Sequence, residues 1–313
     1  MKVVIDLLGD PMIDSWNSPT QTISTPGGAF NVLINLKELL KNNNNVEIRS
    51  FFHKIPEESF QKGPLVILDE AYACGYPVKF YDCDKNWMIK NTHDGKSFKP
   101  DCRSCVFKNL EPAYNKEISI LIVSDYNKGF VEQWLPIIQE KFDGKLLYDF
   151  CIVDSRYGNT DFNILSKLCD SIIYHISKDS DLQSSTKEWD VIIQTQGINS
   201  TLLTLKQLDW VIDHSIPIRN ISDTVCTIGC GDTFTASIAA GIAETLSRLS
   251  CCIEIPWTPK FEFEHFKEII RFAHLTCQNV VCRPRTSIVE DISTEQLCID
   301  EIIIPMQRTF KIN

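Results

Sequence analysis

The sequence predicts an α/β protein with a central, mostly parallel, doubly wound sheet. Three observations predict it. Short β-branched runs alternate with helical patterns along the chain. Those runs are continuously apolar, as strands covered on both faces must be. The chain has 313 residues, 43% of them hydrophobic and 23% charged, enough to bury a large core in one α/β unit spanning 1–313.

The elements follow in order. The run 2-KVVIDLL-8 reads as the first strand, and 29-AFNVLINLKELL-40 as a helix. The polar tract 42-NNNN-45 turns the chain into a second strand, 46-VEIRSFF-52. Residues 77–113 are polar, aromatic and rich in turn formers, which predicts a small antiparallel excursion, a lid over the sheet. The βα rhythm resumes with the strand 118-ISILIVS-124 and the helix 130-FVEQWLPIIQEKF-142. Four more strands are expected at 145-KLLYDF-150, 171-SIIYHI-176, 190-DVIIQTQ-196 and 201-TLLTL-205. The stretch 232-DTFTASIAAGIAETLSRL-249 reads as a long helix, and the charged segment 260-KFEFEHFKE-268 as a solvated face. In a sheet of this kind ligands bind beyond the carboxyl ends of the strands.

Composition narrows the function. The formal net charge is −10 and no Lys/Arg block occurs, so a nucleic-acid partner is not expected. No apolar run reaches the ~18 residues of a membrane span. The apolar start is broken by Asp6 and Asp10 and carries no small-residue cleavage site, so a cytoplasmic location is expected. The 13 cysteines, Cys151, Cys169 and Cys282 among them, then read as reduced thiols serving as small hydrophobes. Cys102 and Cys105 form a C-x-x-C that Cys83 and His93 would complete to four zinc ligands. Strong zinc signatures carry two close pairs and this has one, so unlinked thiols are favoured.

The chemistry is concentrated at 224-TVCTIGCGDTF-234. Gly229 and Gly231 permit a positive φ and leave room for a close ligand. Amides at a helix start bind anions, and a carboxylate there either caps the helix or takes a proton from a bound hydroxyl. Phosphoryl transfer needs both a cradle for the moving charge and a base aligned on the nucleophile. Taken alone, the turn is more simply a capped helix start.

The rest of the chain decides the matter through a resemblance. TIGCGDTF is similar to the second signature of the ribokinase (PfkB) carbohydrate kinases, D-T-x-G-A-G-D-x-F. Thr227, Gly229, Gly231, Asp232 and Phe234 match, and Cys230 stands for the alanine. The resemblance implies a three-layer ribokinase-like fold with a small β lid, Asp232 as catalytic base, and the 229–231 amides as an anion hole. It also implies ATP and Mg²⁺, with Thr227 on the nucleotide side. The stretch 9-GDPMIDSW-16 looks like the family's first strand and substrate loop. The stretch 26-PGGAFNVLINLKEL-39 resembles its first signature, G-G-x-x-x-N-x-A-x-x-L. Asp10, Asp14, Gly27, Gly28 and Asn31 are thereby implied to bind substrate, the glycines by letting a sugar approach the backbone.

Two further stretches, 122-IVSDYNKGF-130 and 152-IVDSRYGNTDF-162, resemble segments of the heptose 7-phosphate kinases of lipopolysaccharide synthesis. They bring in Asp125 and Lys128; Lys90 and Thr92 resemble the lid of those enzymes, and Arg156 is a further cation for a phosphate. The matching segments span residues 3–290. Other positions depart from the family. Cys226 replaces the first Asp of the second signature, with Asp223 three residues earlier, and 175-HISK-178 replaces N-x-x-E, so His175 and Lys178 stand for Asn and Glu. A lysine can meet a triphosphate but cannot hold Mg²⁺ through water as a carboxylate does. Thr195 and Gly197 survive from T-x-G-x-x-G while Ser200 replaces its last glycine. Asn279 is the implied nucleotide contact, and Arg285 stands where glycine is usual. The expected activity is ATP-dependent phosphorylation of a sugar or sugar phosphate. The alternatives are a non-catalytic sugar-phosphate or partner binder on the same fold, and a nucleoside kinase. A homodimer formed through the lid is the candidate assembly.

Overall fold

The structure is a computed structural model that describes residues 2–52, 64–95, 118–142, 146–155, 160–177, 190–197, 199–207, 210–216, 224–250, 263–283, 285–286 and 288–297. Its central sheet has eight strands: β1 (Val3–Gly9), β4 (Val46–Ser50), β7 (Ile118–Ser124), β8 (Tyr148–Asp154), β9 (Cys169–Ser177), β10 (Val191–Thr195), β11 (Thr201–Gln207) and β12 (Trp210–Ile216). They lie in the order β12-β11-β10-β9-β8-β7-β1-β4. From β4 to β10 all neighbours are parallel; β11 and β12 add an antiparallel edge.

Every residue of β1 is buried, including Asp6. That charge is tolerated because its cross-strand partner Arg49 donates to it through two nitrogens at 2.6 and 2.7 Å, and the Tyr148 hydroxyl donates at 3.0 Å. Among the described residues six helices accompany the strands: α1 (Ala29–Leu39), α2 (Pro64–Ala73), α3 (Phe130–Phe142), α4 (Phe162–Leu168), α5 (Cys230–Ser250) and α6 (Phe263–Val281). From β1 the chain passes through α1 to β4 on one side. From β7 it passes through α3 and α4 towards β9 on the other. Right-handed crossovers then put these helices on opposite faces. The reversal between β1 and β7 opens a crevice beyond Gly9 and Ser124. The backbone continues past both strand ends: Asp10 N–H donates to Ser124 O at 2.9 Å, and Asp125 N–H to Asp154 O at 2.8 Å.

A second sheet stands over this crevice. It comprises β2 (Pro11–Asn17), β3 (Thr22–Gly28), β5 (Val78–Cys83) and β6 (Ile89–Asp94), in the order β3-β2-β5-β6. The antiparallel pair expected within 77–113 is β5–β6; residues 96–117 lie outside those described. Half of the sheet, however, comes from 11–28. Pro11, Pro26 and two glycines hid those strands from a propensity reading. β2 alternates as a strand must: Ile13 joins the main core, while Trp16 stacks on Tyr81 in a separate cluster.

The remaining differences are local. β12, α2 and the full length of α6 were not anticipated, and β8 starts three residues later than expected and runs on to Asp154. The solvated face expected over 260–268 holds for exposed Glu264, but His265 and Phe266 are buried.

Candidate active site

Asp232 lies in the first turn of α5, behind a bend that only glycine fits. Gly229 has φ +81°, and a Cβ there would meet Asn31 Nδ2 and Thr286 Cγ2, both at 2.7 Å. Cys230 N–H donates back to Thr227 O at 3.2 Å, and Thr233 N–H donates to Gly229 O at 3.0 Å as the ladder begins. The Gly231 and Asp232 amides precede that bond, at the positive end of the helix dipole.

Donors hold both oxygens of the Asp232 carboxylate. Asn31 Nδ2 donates to Oδ2 at 3.2 Å, and the Tyr126 hydroxyl donates to Oδ1. Asn31 is buried and fully engaged: it also donates to Gly229 O at 3.2 Å and accepts from Asn35 Nδ2 at 2.9 Å. Asn35 in turn accepts the Val289 N–H at 2.9 Å. Asn31, expected at the substrate, is thus placed against the Asp232 carboxylate, which it orients.

A second carboxyl faces the first. Asp14, on β2, accepts from the Thr286 hydroxyl at 2.7 Å. Burial pushes its pKa up to about 7, the Asp232 charge adds to this, and the Thr286 bond and Lys79 oppose it. Gly27 is glycine because Asp14 needs the space: a Cβ there would sit 2.7 Å from Oδ1. Gly28, at φ +53°, would place a Cβ 2.7 Å from Asp10 O. Both glycines thus serve close packing within the protein, where the sequence suggested room for a sugar.

Asp10, expected at the substrate, is likewise placed against the protein. It is fully buried, and its carboxylate accepts the N–H groups of Tyr126 (2.7 Å), Lys128 (3.1 Å) and Phe130 (3.0 Å). It shapes the loop that carries Tyr126. Asp125 supports the same loop, accepting from Asn127 N–H at 2.9 Å and the Thr160 hydroxyl at 2.7 Å. The Lys128 ammonium lies 3.7 Å from Asp94, which is the register partner of Lys79. Lys79, the register partner of Asp14, therefore stands beside it on the lid, and Lys128 reaches the same lid sheet at Asp94. Lys90 is elsewhere, on the exposed hairpin, 3.5 Å from Asp84, and Thr92 pairs with Tyr81 within the lid.

The lid is closed over these groups. Trp16 and Tyr81 stack at 4.2 Å with Cys83, and Trp87, Cys226 and Ile228 pack against them. Arg285 lies 4.8 Å over the Trp87 ring and takes φ +69°, which explains why glycine suits that position. Asp14 and Asp232 are each under 5% exposed. Cys226 fills the place of an expected carboxylate in a neutral way: its sulfur accepts the N–H groups of Ile228 and Arg285, and burial pushes the thiol's pKa up.

At the positions that the family resemblance assigns to a nucleotide, the groups bond to one another. Thr235 donates to Asp154 Oδ2 at 2.9 Å, so its oxygen accepts Nδ1–H of buried His175, also at 2.9 Å. Thr195 lies 3.4 Å from His175 Nε2 and donates to Ile176 O at 3.3 Å. Gly197 has φ +62° with open space around it. Asn279 is engaged in stapling a loop: it accepts from Glu290 N–H at 3.0 Å and from Arg283, and donates to Glu290 O at 3.1 Å. Lys178, Arg156, Asp223, Cys102 and Cys105 lie outside the described residues. Among the described residues no cluster of three or more His, Cys, Asp or Glu side chains could hold a metal. Cys83 sits in the apolar lid cluster, and the His93 ring stacks on Phe80 at 5.0 Å.

Sequence reasoning missed Tyr126, Thr286, Lys79 and the Trp16–Tyr81 stack. Tyr126 lay inside the quoted SDYNKGF stretch, but a loop hydroxyl carries no periodic signal that marks it.

Solved structures share this architecture. Ribokinase from Giardia lamblia superimposes with a TM-score of 0.60 at 12% identity, over 91% of this chain and 95% of its own. The nucleoside kinase of Methanocaldococcus jannaschii gives 0.56 at 14%, over 95% and 97%. Phosphofructokinase-2 from Escherichia coli gives 0.55 at 13%, over 93% and 96%. The fold is therefore ribokinase-like α/β. No protein-family model matches the sequence, and no curated protein does.

Proposed function

We propose that the protein transfers the terminal phosphoryl group of ATP to a hydroxyl of a sugar or sugar phosphate, with Asp232 as the base. The observation that carries this reading is the position of Asp232. It is in the first turn of α5, directly after the Gly229 bend, near enough to Asp14 for its charge to be felt there, and steadied by Asn31. Asp14 accepts one acceptor hydroxyl and so orients the sugar. Asp232 removes the proton from the reacting hydroxyl. The amides of 229–231 take up charge on the moving phosphoryl group. Lys79 beside Asp14, with Lys128 further out at Asp94, offers positive charge to a phosphate carried by the acceptor, which favours a sugar phosphate of the heptose 7-phosphate kind. The lid sheet excludes water, the competing acceptor.

The residues fit the phosphates of a nucleotide better than they fit the metal. A helix start with a glycine bend suits phosphate oxygens. Asp154, by contrast, is buried and bonded to Thr235. Mg²⁺ would neutralise phosphate charge, held by nucleotide oxygens and water.

The test is ADP release by the purified protein with ATP and Mg²⁺, against a panel of heptose phosphates, hexose phosphates, free sugars and nucleosides. Acceptor-dependent release that Asp232→Asn abolishes is expected. No phosphorylation of any acceptor overturns the reading. A second reading, a sugar-phosphate binder without transfer, is favoured by one observation: the His175 ring is buried, bonded to Thr235 and set 3.4 Å from Thr195. Binding of a sugar phosphate with no response to nucleotide would select it. A nucleoside acceptor in the same panel would move the substrate class without moving the mechanism.

A further inference from the structure

The two carboxylates that the cleft offers to an acceptor are each already satisfied by a hydroxyl of the protein. Thr286 donates to Asp14 and Tyr126 donates to Asp232. Both carboxylates are nearly buried, and so is Thr286. The two hydroxyls are presented differently from the asparagine donor. Asn31 belongs to α1 and is tied into the helix and the Gly229 bend. Tyr126 and Thr286 come from loops at opposite ends of the chain, one following β7 and one following α6. Neither loop is free to collapse: Asp10 accepts three N–H groups of the first, and Asn279 bonds twice to Glu290 in the second.

We infer that Tyr126 and Thr286 stand in for two hydroxyls of the acceptor, and that the site selects a polyol able to displace both. The inference rests on the phosphoryl-transfer reading for the identity of the ligand. It does not need that reading for the resting hydrogen bonds. A buried carboxylate left without its donor is costly. An acceptor with a single hydroxyl replaces only one of the two donors and leaves the other carboxylate with its own. A polyol with two suitably spaced hydroxyls replaces both, so each bond lost is regained. Removing one resident hydroxyl weakens the free protein and leaves the complex as it was. Acceptor affinity then rises, the reverse of what loss of a substrate contact does.

Two measurements test this, neither of which uses ATP. The first is a double-mutant cycle on the ligand-free full chain, with Tyr126→Phe and Asp232→Ala, followed by urea unfolding. Tyr126→Phe is expected to lower the midpoint in the native background and to leave it nearly unchanged beside Asp232→Ala. Equal effects in both backgrounds overturn the inference. The second is calorimetric titration with D-glycero-D-manno-heptose 7-phosphate and with ribose. Tyr126→Phe and Thr286→Val are each expected to tighten binding of at least one probe by about tenfold, the lower part of the range for an unpaired buried acceptor. Unchanged or weaker binding, or no binding of either probe to any of the proteins, overturns it. Loss of the kinase reading alone shows differently: probes bind and respond to Tyr126→Phe, yet no ADP is released.

Discussion

The two halves of the cleft are built on opposite principles. On the acceptor side, polar groups of one element are aimed at another: Asn31 of α1 at Asp232 of α5, and Thr286 after α6 at Asp14 of β2. On the nucleotide side the polar groups are turned inward, with His175, Thr195, Thr235 and Asp154 bonded among themselves beneath the start of α5. The difference teaches where a ligand can trade bonds: Asp14 and Asp232 each accept from a protein hydroxyl carried on a loop, whereas His175, Asp154 and Thr195 sit on strands and Thr235 on α5.

The comparison breaks most directly at Asp232. Asp232→Asn keeps the shape of the side chain and removes the base. Turnover should fall by roughly 10²- to 10⁴-fold, the usual worth of a positioned base. Acceptor affinity should change little, because Asp14 remains and the introduced amide keeps an oxygen that can accept from the same hydroxyl. Initial rates of ADP release check the first and calorimetry the second. A variant that still turns over would remove Asp232 from the chemistry and leave only a capped helix.

The acceptor side was largely legible in the sequence, and the reason is physical. Gly229, Gly231 and Asp232 are adjacent, so a bend and a carboxylate appear together in one short string. Gly27, Gly28 and Asn31 show similarly where β3 runs into α1. What each residue does was less legible. The sequence places Asn31, Gly27 and Asp10 at the substrate; in the structure their contacts are with Asp232, Asp14 and the Tyr126 loop. Spacing along a chain tells which residues gather at a crevice; it does not tell which of them face the ligand and which face each other. Thr286 meets Asp14 across 272 residues, and no local pattern reports such a contact. The lid was half legible for a related reason. β2 and β3 pair with each other, and β2 gains its other partner from β5, far along the chain, which outweighs the poor strand propensity of Pro11-to-Gly28.

A pH series sharpens the comparison on the acceptor side. The Asp14 carboxyl is pushed from an ordinary 3.8 up to about 7 by burial. Between those values the folded protein binds a proton that the unfolded chain has lost, so stability falls as pH rises. The effect is on the order of a few kcal/mol at most across pH 4 to 7, with no further loss from this group above it. Urea midpoints measured over that range should decline in the native protein and flatten in Asp14→Asn. Equal slopes in the two proteins would show that Asp14 is not the strained group.

The bend between the halves gives a smaller effect on folding. Gly229→Ala sets a methyl group 2.7 Å from both Asn31 Nδ2 and Thr286 Cγ2, in a backbone conformation that alanine disfavours. A loss of about 1–3 kcal/mol is expected from the strained φ. Asn31 and Thr286 have to move, so turnover should fall by more than nucleotide affinity does. A variant as stable and as active as the native protein would mean that the bend is ordinary.

The smallest effect tests the nucleotide side itself. In His175→Asn the shorter side chain still reaches towards Thr235 but no longer towards Thr195, whose hydroxyl then keeps only Ile176 O as a partner. One hydroxyl near the open backbone of Gly197 becomes available to a ligand. If the inward bonding of this half is what weakens donor handling, the KM for ATP should fall by about two- to fivefold while the acceptor KM stays in place, since the change touches binding on one side only. The imidazole also packs on Phe234 at 4.8 Å, so some stability is lost with it, and the kinetics need to be read well below the unfolding temperature. A shift in acceptor KM with none for ATP would reverse the assignment of the two halves, because His175 would then act through the start of α5 on Asp232 and not on the donor.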